Sequence, residues 1–490
     1  MPPLYYNSYK RVLFNSIEFA IFLPIVFLLY WFVFNKNLKL QNLFVVVVSY
    51  IFYGWWDWRF LFLIAFTSAC SFAAGLLIEK FKENPRKARM VNTLNIVVNL
   101  LILGVFKYYD FFATAFADAF LGGKADGLLL HLILPVGISF YTFQALSYSI
   151  DVYKGKLEPT RDIVQFFAFV SFFPQLVAGP IERATNLLPQ FSKPRTFDYG
   201  TGADGMRQIL WGLFKKVVIA DNCAIYVDKV FSTYQTQSGS TLLLAAILFA
   251  FQIYGDFSGY SDIAIGTAKL FGIKLMRNFN VPYFSRDIAE FWRRWHISLT
   301  TWFRDYVYIP LGGSRCSKAK IIRNTFVIFL VSGFWHGANW TFIAWGAYHA
   351  MLFLPLILMG KNRKYRNTVA QDRLLPNLKE CGQMLLTFIL VVIGWIIFRA
   401  DSIGQARDYI LRIFNKSLLT VPWLNSATYI LQMLVTLPVL IVFEWLWRNK
   451  DCPLKLKGVT MIPQWALYVL VCVMIFLFGT SSESFIYFQF

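Results

Sequence analysis

At 490 residues, the chain is 57% hydrophobic, 19% aromatic and only 15% charged, with a mean hydropathy of +0.51, which excludes a string of ordinary soluble domains and points to a polytopic membrane protein. The 47 Lys and Arg against 27 Asp and Glu, a net charge of +20, belong mainly to loops between apolar spans, and no zinc finger, RNA-binding signature or long basic arm supports nucleic-acid binding. The six cysteines (Cys70, Cys223, Cys316, Cys381, Cys452 and Cys472) lie far apart with no CxxC and no Cys/His ligand spacing, so neither a disulfide scaffold nor a metal site is expected.

In chain order, Lys10 and Arg11 precede an apolar run at 20–34 that has no small-residue cleavage site and is followed by Lys36 and Lys39, so the run reads as a retained first span. Further apolar stretches fall near 40–56, 59–78, 92–107, 127–149, 163–178, 207–230, 241–273, 324–358, 382–399, 427–446 and 462–480. With roughly 20 residues needed per crossing, these predict about eleven to thirteen membrane helices. They are expected to form a single integral-membrane domain over 1–490, with a core over 130–350 and peripheral helices over 1–125 and 380–490. Basic clusters at Lys80, Lys82, Arg86, Lys87 and Arg89, at Arg315, Lys318, Lys320 and Arg323, and at Lys361, Arg363, Lys364 and Arg366 are expected on the cytoplasmic side.

Pro and Gly interrupt the apolar sequence at 134–144 and 172–183, which fits either a cavity-lining broken helix or a kinked span. At 251–262, Asp256 and Asp262 sit inside a long apolar run and require a partner or a polar cavity; a packing network and an ion or proton relay both fit. Gly255 and Gly259 in the same run allow close helix contact.

Residues 285–306 project as one amphipathic interfacial helix, capped by Ser285 and ended by Pro310. Ile288, Phe291, Trp292, Trp295, Leu299, Trp302, Phe303 and Tyr306 form one face, and Arg286, Glu290, Arg293, Arg294, Arg304 and Asp305 the other, with His296 at the border. The arginines fit either interfacial anchoring or contact with an anionic substrate. The stretch 324–358 would be about 52 Å long as one helix, too long for a bilayer core of about 30 Å. Its natural break is at 332–340, where Gly333 and Gly337 place His336 at the turn of a hairpin.

Only His131, His296, His336 and His349 are present. Histidine is the side chain best suited to take a hydroxyl proton near neutral pH. The break at His336 and the charged segment around His296 single out these two, whereas His131 and His349 read as packing residues. No G-x-S-x-G, P-loop or Rossmann fingerprint appears in a fitting context.

At 134–144, 174–183, 254–262, 291–313 and 333–340 the sequence resembles the membrane-bound O-acyltransferase (MBOAT) family, in its bacterial branch that acetylates polysaccharides such as alginate. The resemblance runs over nearly the whole chain and is weakest after about residue 400. It implies an all-α polytopic fold, a ring of helices around a thin core pierced by a tunnel. It places the family's catalytic histidine, in a W-H-G context, at His336 and a second position, in R-x-W-H, at His296. The implied reaction moves an acyl group from a thioester, acetyl-coenzyme A or an acylated carrier, to a hydroxyl of an extracellular or periplasmic polysaccharide, with no tightly bound cofactor and no metal. His336 is then expected to be the general base, with His296 as the second catalytic residue that positions donor or acceptor or assists proton transfer, Asn339 as an orienting or carbonyl-binding group, and Trp335, Arg294, Arg304, Asp305 and Asp256 in supporting or binding roles. The bacterial inner membrane and secreted or membrane-anchored acetylation partners are implied in the same way. D-alanyl transfer to teichoic acid is the other activity within the family. A transporter or polysaccharide-export permease, with Asp256 and Asp262 as its coupling relay, is the reading from a different class.

Overall fold

The computed structural model describes residues 14–480 except 124, 178, 425, 451, 457 and 459, and among these there is helix and loop but no strand. The α-helices are α1 (Ile17–Leu28), α2 (Leu38–Gly54), α3 (Phe60–Lys80), α4 (Pro85–Phe120), α5 (Ile138–Tyr153), α6 (Ile163–Ser171), α7 (Phe173–Leu176), α8 (Ala184–Phe191), α9 (Tyr199–Leu213), α10 (Asp221–Ser232), α11 (Gly239–Leu270), α12 (Ile288–Arg294), α13 (Ile297–Phe303), α14 (Lys318–His336), α15 (Trp340–Leu358), α16 (Leu378–Arg399), α17 (Ile403–Ile413), α18 (Ala427–Trp447) and α19 (Met461–Phe478). Short π-helical segments cover Leu29–Val33, Phe214–Ala220 and Arg304–Tyr308. Two compact units result: one holds the chain up to Tyr109 with Leu130–Met206 and Ile263–Leu275, the other Asp110–Leu129, Arg207–Asp262 and the chain from Met276 onward.

The protein is an all-α, multi-pass membrane protein, but with fewer full-length spans than the apolar stretches suggest. Among the described residues, six helices are long and apolar enough to cross a bilayer (α3, α4, α11, α15, α16 and α19), and three shorter apolar helices lie at Ile17–Val33, Leu38–Gly54 and Leu431–Trp447. The excess in the expected eleven to thirteen comes from apolar runs that cover themselves with protein. The run at 163–178 is the nine-residue α6 and the four-residue α7, broken at Phe172. The run at 207–230 is divided by the Phe214–Ala220 segment, and that at 127–149 becomes helical only from Ile138. Even among long helices the use differs: 78% of the apolar stretch of α11 is buried in protein, against 11% for α19. Outward residues such as Phe62, Ile462 and Phe476 have the apolar exposure that lipid tolerates.

In the first unit, α5 starts after Gly137 at φ 73°, where an added Cβ would lie 2.4 Å from the Leu176 carbonyl oxygen, so only glycine serves both the left-handed turn and the contact. In the second, α14 and α15 form the expected hairpin around His336. A Cβ on Gly333 would meet the Phe342 carbonyl oxygen at 2.2 Å, and one on Gly346 the Phe329 carbonyl oxygen at 2.4 Å, so the helices touch backbone to backbone. A Cβ on Gly394 of α16 would lie 2.7 Å from His349 Nε2, which seats α16 against α15.

Candidate active site

Residues 285–306 are not one amphipathic helix. The chain breaks at His296, which takes the left-handed conformation at φ 43° between α12 and α13, and the first cap is Asp287, whose carboxylate accepts from Glu290 N–H, rather than Ser285. Main-chain bonds to an upstream strand-like segment hold the break: Asn280 N–H donates to the Arg294 carbonyl (2.9 Å) and Ile297 N–H to the Asn278 carbonyl (2.8 Å). Nor is α12 interfacial, since Ile288, Ala289, Glu290, Phe291, Trp292 and Arg294 are all buried.

The break and the hairpin deliver their histidines to one aromatic cluster. Trp335 lies between them, its ring centroid 5.9 Å from that of His296 and 4.9 Å from that of His336. His336, the last residue of α14, also meets Trp345 (5.1 Å) and Phe398 (5.3 Å) edge to face. Trp345 continues to His349 (5.0 Å), and Phe257 packs edge-on against His296 (4.6 Å). These contacts bring together His296, Trp335 and His336 of the predicted set and add Trp345 and His349, which sequence reasoning had not placed at the site.

Each buried histidine outside the hairpin turn has a defined polar environment. His296 Nδ1 lies 3.1 Å from Asn278 Oδ1, while its Nε2 is buried with no hydrogen-bond partner among the described residues. Burial lowers its pKa to about 3, so the ring is neutral around neutral pH. For His349, Trp292 Nε1–H donates to Nδ1 at 3.3 Å. The indole N–H of the fully buried Trp345 has no hydrogen-bond partner among the described residues. In the cluster around His336, His296 Nε2 and Trp345 Nε1–H are therefore unmatched among the described residues.

Several predicted supporting residues are committed elsewhere. Asn339 caps α15 by accepting from Thr341 N–H (3.0 Å) and donates to the Asp401 carbonyl (3.1 Å), so its amide shapes the turn after His336. Arg294 pairs with Glu290 (2.9 Å) and donates to the Asn280 and Asn367 carbonyls, and Arg293 donates to the Asn362 and Tyr365 carbonyls. These arginines tie the α12 segment to the 362–367 loop, so neither interfacial anchoring nor an open anion site describes them. Arg304 and Asp305 pair with each other, the arginine half-exposed.

Asp256 and Asp262 belong to a lysine cluster that the sequence did not suggest. Lys216 Nζ lies 2.8 Å from Asp256 Oδ1 and 2.7 Å from Asp221 Oδ1, all three side chains being buried. Lys215 pairs with Asp262, which also accepts from Gln208 Nε2 at 2.8 Å. The lysines follow each other in the Phe214–Ala220 segment, against which α11 closes at Gly255 and Gly259, where a Cβ would lie 2.9 and 2.7 Å from carbonyl oxygens of Lys215 and Gly212. The two aspartates are thus held in ion pairs, as in the packing-network reading and unlike a relay. The lone signal in the sequence was the Lys215–Lys216 pair within an apolar run.

The model of the MBOAT, membrane-bound O-acyltransferase family, matches residues 159–393, which contain both His296 and His336. The probable alginate O-acetylase AlgI of Pseudomonas aeruginosa is 40% identical over 414 residues, 84% of this chain and 76% of that protein. A peptidoglycan O-acetyltransferase of Helicobacter pylori is 37% identical, over 81% of this chain and 78% of that protein. A teichoic acid D-alanyltransferase of Bacillus subtilis is 30% identical, over 55% and 69% respectively.

Proposed function

From the premise that this chain belongs to the membrane-bound O-acyltransferase family and is an O-acetyltransferase, we propose that it transfers acetyl groups from a thioester donor to hydroxyls of a cell-surface polysaccharide, with His336 as general base. The observation that carries the site assignment is the pair of unmatched polar atoms beside Trp335 and His336: the His296 Nε2 acceptor and the Trp345 Nε1–H donor. An acceptor can hold a hydroxyl of the acceptor sugar next to the one that reacts, and a donor suits a carbonyl oxygen on which negative charge develops. In the proposed step, His336 takes the hydroxyl proton as the oxygen attacks the thioester carbonyl. The tetrahedral oxyanion collapses with cleavage of the C–S bond, and the imidazolium returns its proton to the departing thiolate, leaving an O-acetyl ester and a free thiol. The aromatic walls limit hydrolysis by excluding water and hold the reacting atoms at the 3–3.5 Å approach that direct attack requires.

The donor is acetyl-coenzyme A or an acylated carrier, and the acceptor an alginate-like or peptidoglycan glycan outside the cytoplasm. That arrangement places the protein in a bacterial inner membrane beside secreted or membrane-anchored acetylation partners. Acetyl is favoured over D-alanyl transfer because the O-acetylating relatives are the more similar, at 37–40% against 30% identity. The test is the O-acetyl content of extracellular polysaccharide from cells carrying wild type or His336→Ala, with membrane levels compared by blot. Loss of ester with the protein retained is expected; unchanged ester removes His336 from the mechanism.

A further inference from the structure

We propose that Asn278 is a positioning residue for acyl transfer: its side-chain carbonyl fixes His296 as the Nδ1–H tautomer, so that the bare Nε2 is presented as a hydrogen-bond acceptor to a hydroxyl of the acceptor sugar next to the one that gives its proton to His336. The inference rests on the reading of the His336 cluster as the acyl-transfer centre. Its geometric part is independent of that reading.

The orientation of the Asn278 amide follows from the partners that its O and N meet. Asn278 Oδ1 lies 3.3 Å from the backbone N–H of Ser298, a group that can only donate, so the atom facing it is the oxygen. The same oxygen accepts from Ser298 Oγ–H at 2.8 Å, and the Asn278 amide nitrogen donates to Ser261 Oγ at 3.0 Å. A carbonyl oxygen only accepts, so His296 Nδ1, 3.1 Å away, must carry a proton. Ser298 Oγ, its proton given to Asn278, is a second acceptor 3.4 Å from the same nitrogen. A neutral imidazole has one N–H, which leaves Nε2 with its lone pair. A proton on Nε2 as well would bury a donor with no hydrogen-bond partner among the described residues.

The arrangement is specific to this position. His349, buried in the same cluster, receives an indole N–H on Nδ1 and so carries its proton on Nε2, the opposite tautomer. Asn278 also holds the turn itself, through the bond from Ile297 N–H to its main-chain carbonyl. One residue therefore sets both the backbone break that aims His296 and the nitrogen it offers.

With only four histidines in the chain, the full-length protein labelled with 15N-histidine in lipid nanodiscs can report each ring nitrogen. The His296 signals are assigned by their loss in His296→Gln. A protonated Nδ1 and bare Nε2 at His296, with the reverse at His349, is expected; a protonated Nε2 at His296 overturns the proposal. Asn278→Leu is expected to lose the Nδ1–H preference and to lower the rate of polysaccharide ester formation about 100-fold, while Asn278→Asp, which keeps an acceptor, restores both. Ester formation at the wild-type rate by a folded Asn278→Leu overturns it also. If that variant does not accumulate, the wild-type tautomer and the Asn278→Asp rate decide. Persistence of ester formation in His336→Ala would instead overturn the proposed centre and leave the tautomer result standing.

Discussion

Two buried polar clusters in the second unit handle the same physical problem in opposite ways. Around Lys215 and Lys216, positive charges face Asp221, Asp256 and Asp262, and the site is closed on itself. Around His336, ring after ring is aromatic, and the His296 Nε2 and Trp345 Nε1–H are left unmatched. An unmatched buried polar atom is unfavourable by roughly 1–3 kcal/mol. A cluster that tolerates them beside a histidine is suited to having substrate complete it, whereas in the lysine cluster opposite charges offset one another. The difference teaches that charge buried in a membrane protein is a weaker sign of chemistry than buried hydrogen-bonding capacity left open.

This contrast can be broken or sharpened by substitution. The largest effect is expected for His336→Ala, which should lower polysaccharide ester formation about 10²- to 10⁴-fold, the usual contribution of a general base, with the protein still recovered from the membrane. Lys216→Met should do the reverse. Removing one partner of a buried ionic group is destabilising by about 3–5 kcal/mol, so loss of folded protein is expected, and adding Asp256→Asn and Asp221→Asn should recover part of it. If Lys216→Met folds normally but abolishes transfer, the lysine cluster is functional and the contrast fails. Gly333→Ala, which places a methyl against the Phe342 carbonyl oxygen, should force α14 and α15 apart, at about 1–3 kcal/mol by thermal unfolding, and lower activity through displacement of His336. The smallest effect belongs to Arg304→Gln: its half-exposed pair with Asp305 is worth less than about 1 kcal/mol, and wild-type ester content is expected unless Arg304 meets the substrate.

Much of this was legible in the sequence, and the illegible parts share a cause. The hairpin at His336 could be read because its signal is local: two glycines in an apolar run too long for one crossing. The break at His296 could not, because at helical spacing the apolar face of 285–306 runs through it without interruption. What interrupts it is pairing with Asn278 and Asn280, 14 to 19 positions earlier. Asp256 and Asp262 were visible as charges needing partners, but their lysine partners lie 40 and 47 positions away. Which apolar runs face lipid was illegible for a related reason, since hydropathy does not distinguish a helix facing lipid from one enclosed by protein, as α19 and α11 show.

The left-handed backbone at His296 determines how its ring should be removed. Asparagine enters that conformation more readily than most side chains, whereas a β-branched residue resists it. His296→Asn thus deletes the imidazole while retaining the turn, and His296→Val unfolds the turn along with the imidazole. Assayed side by side, the two separate what the ring does from what the bend does, a control that this one torsion angle builds into the molecule.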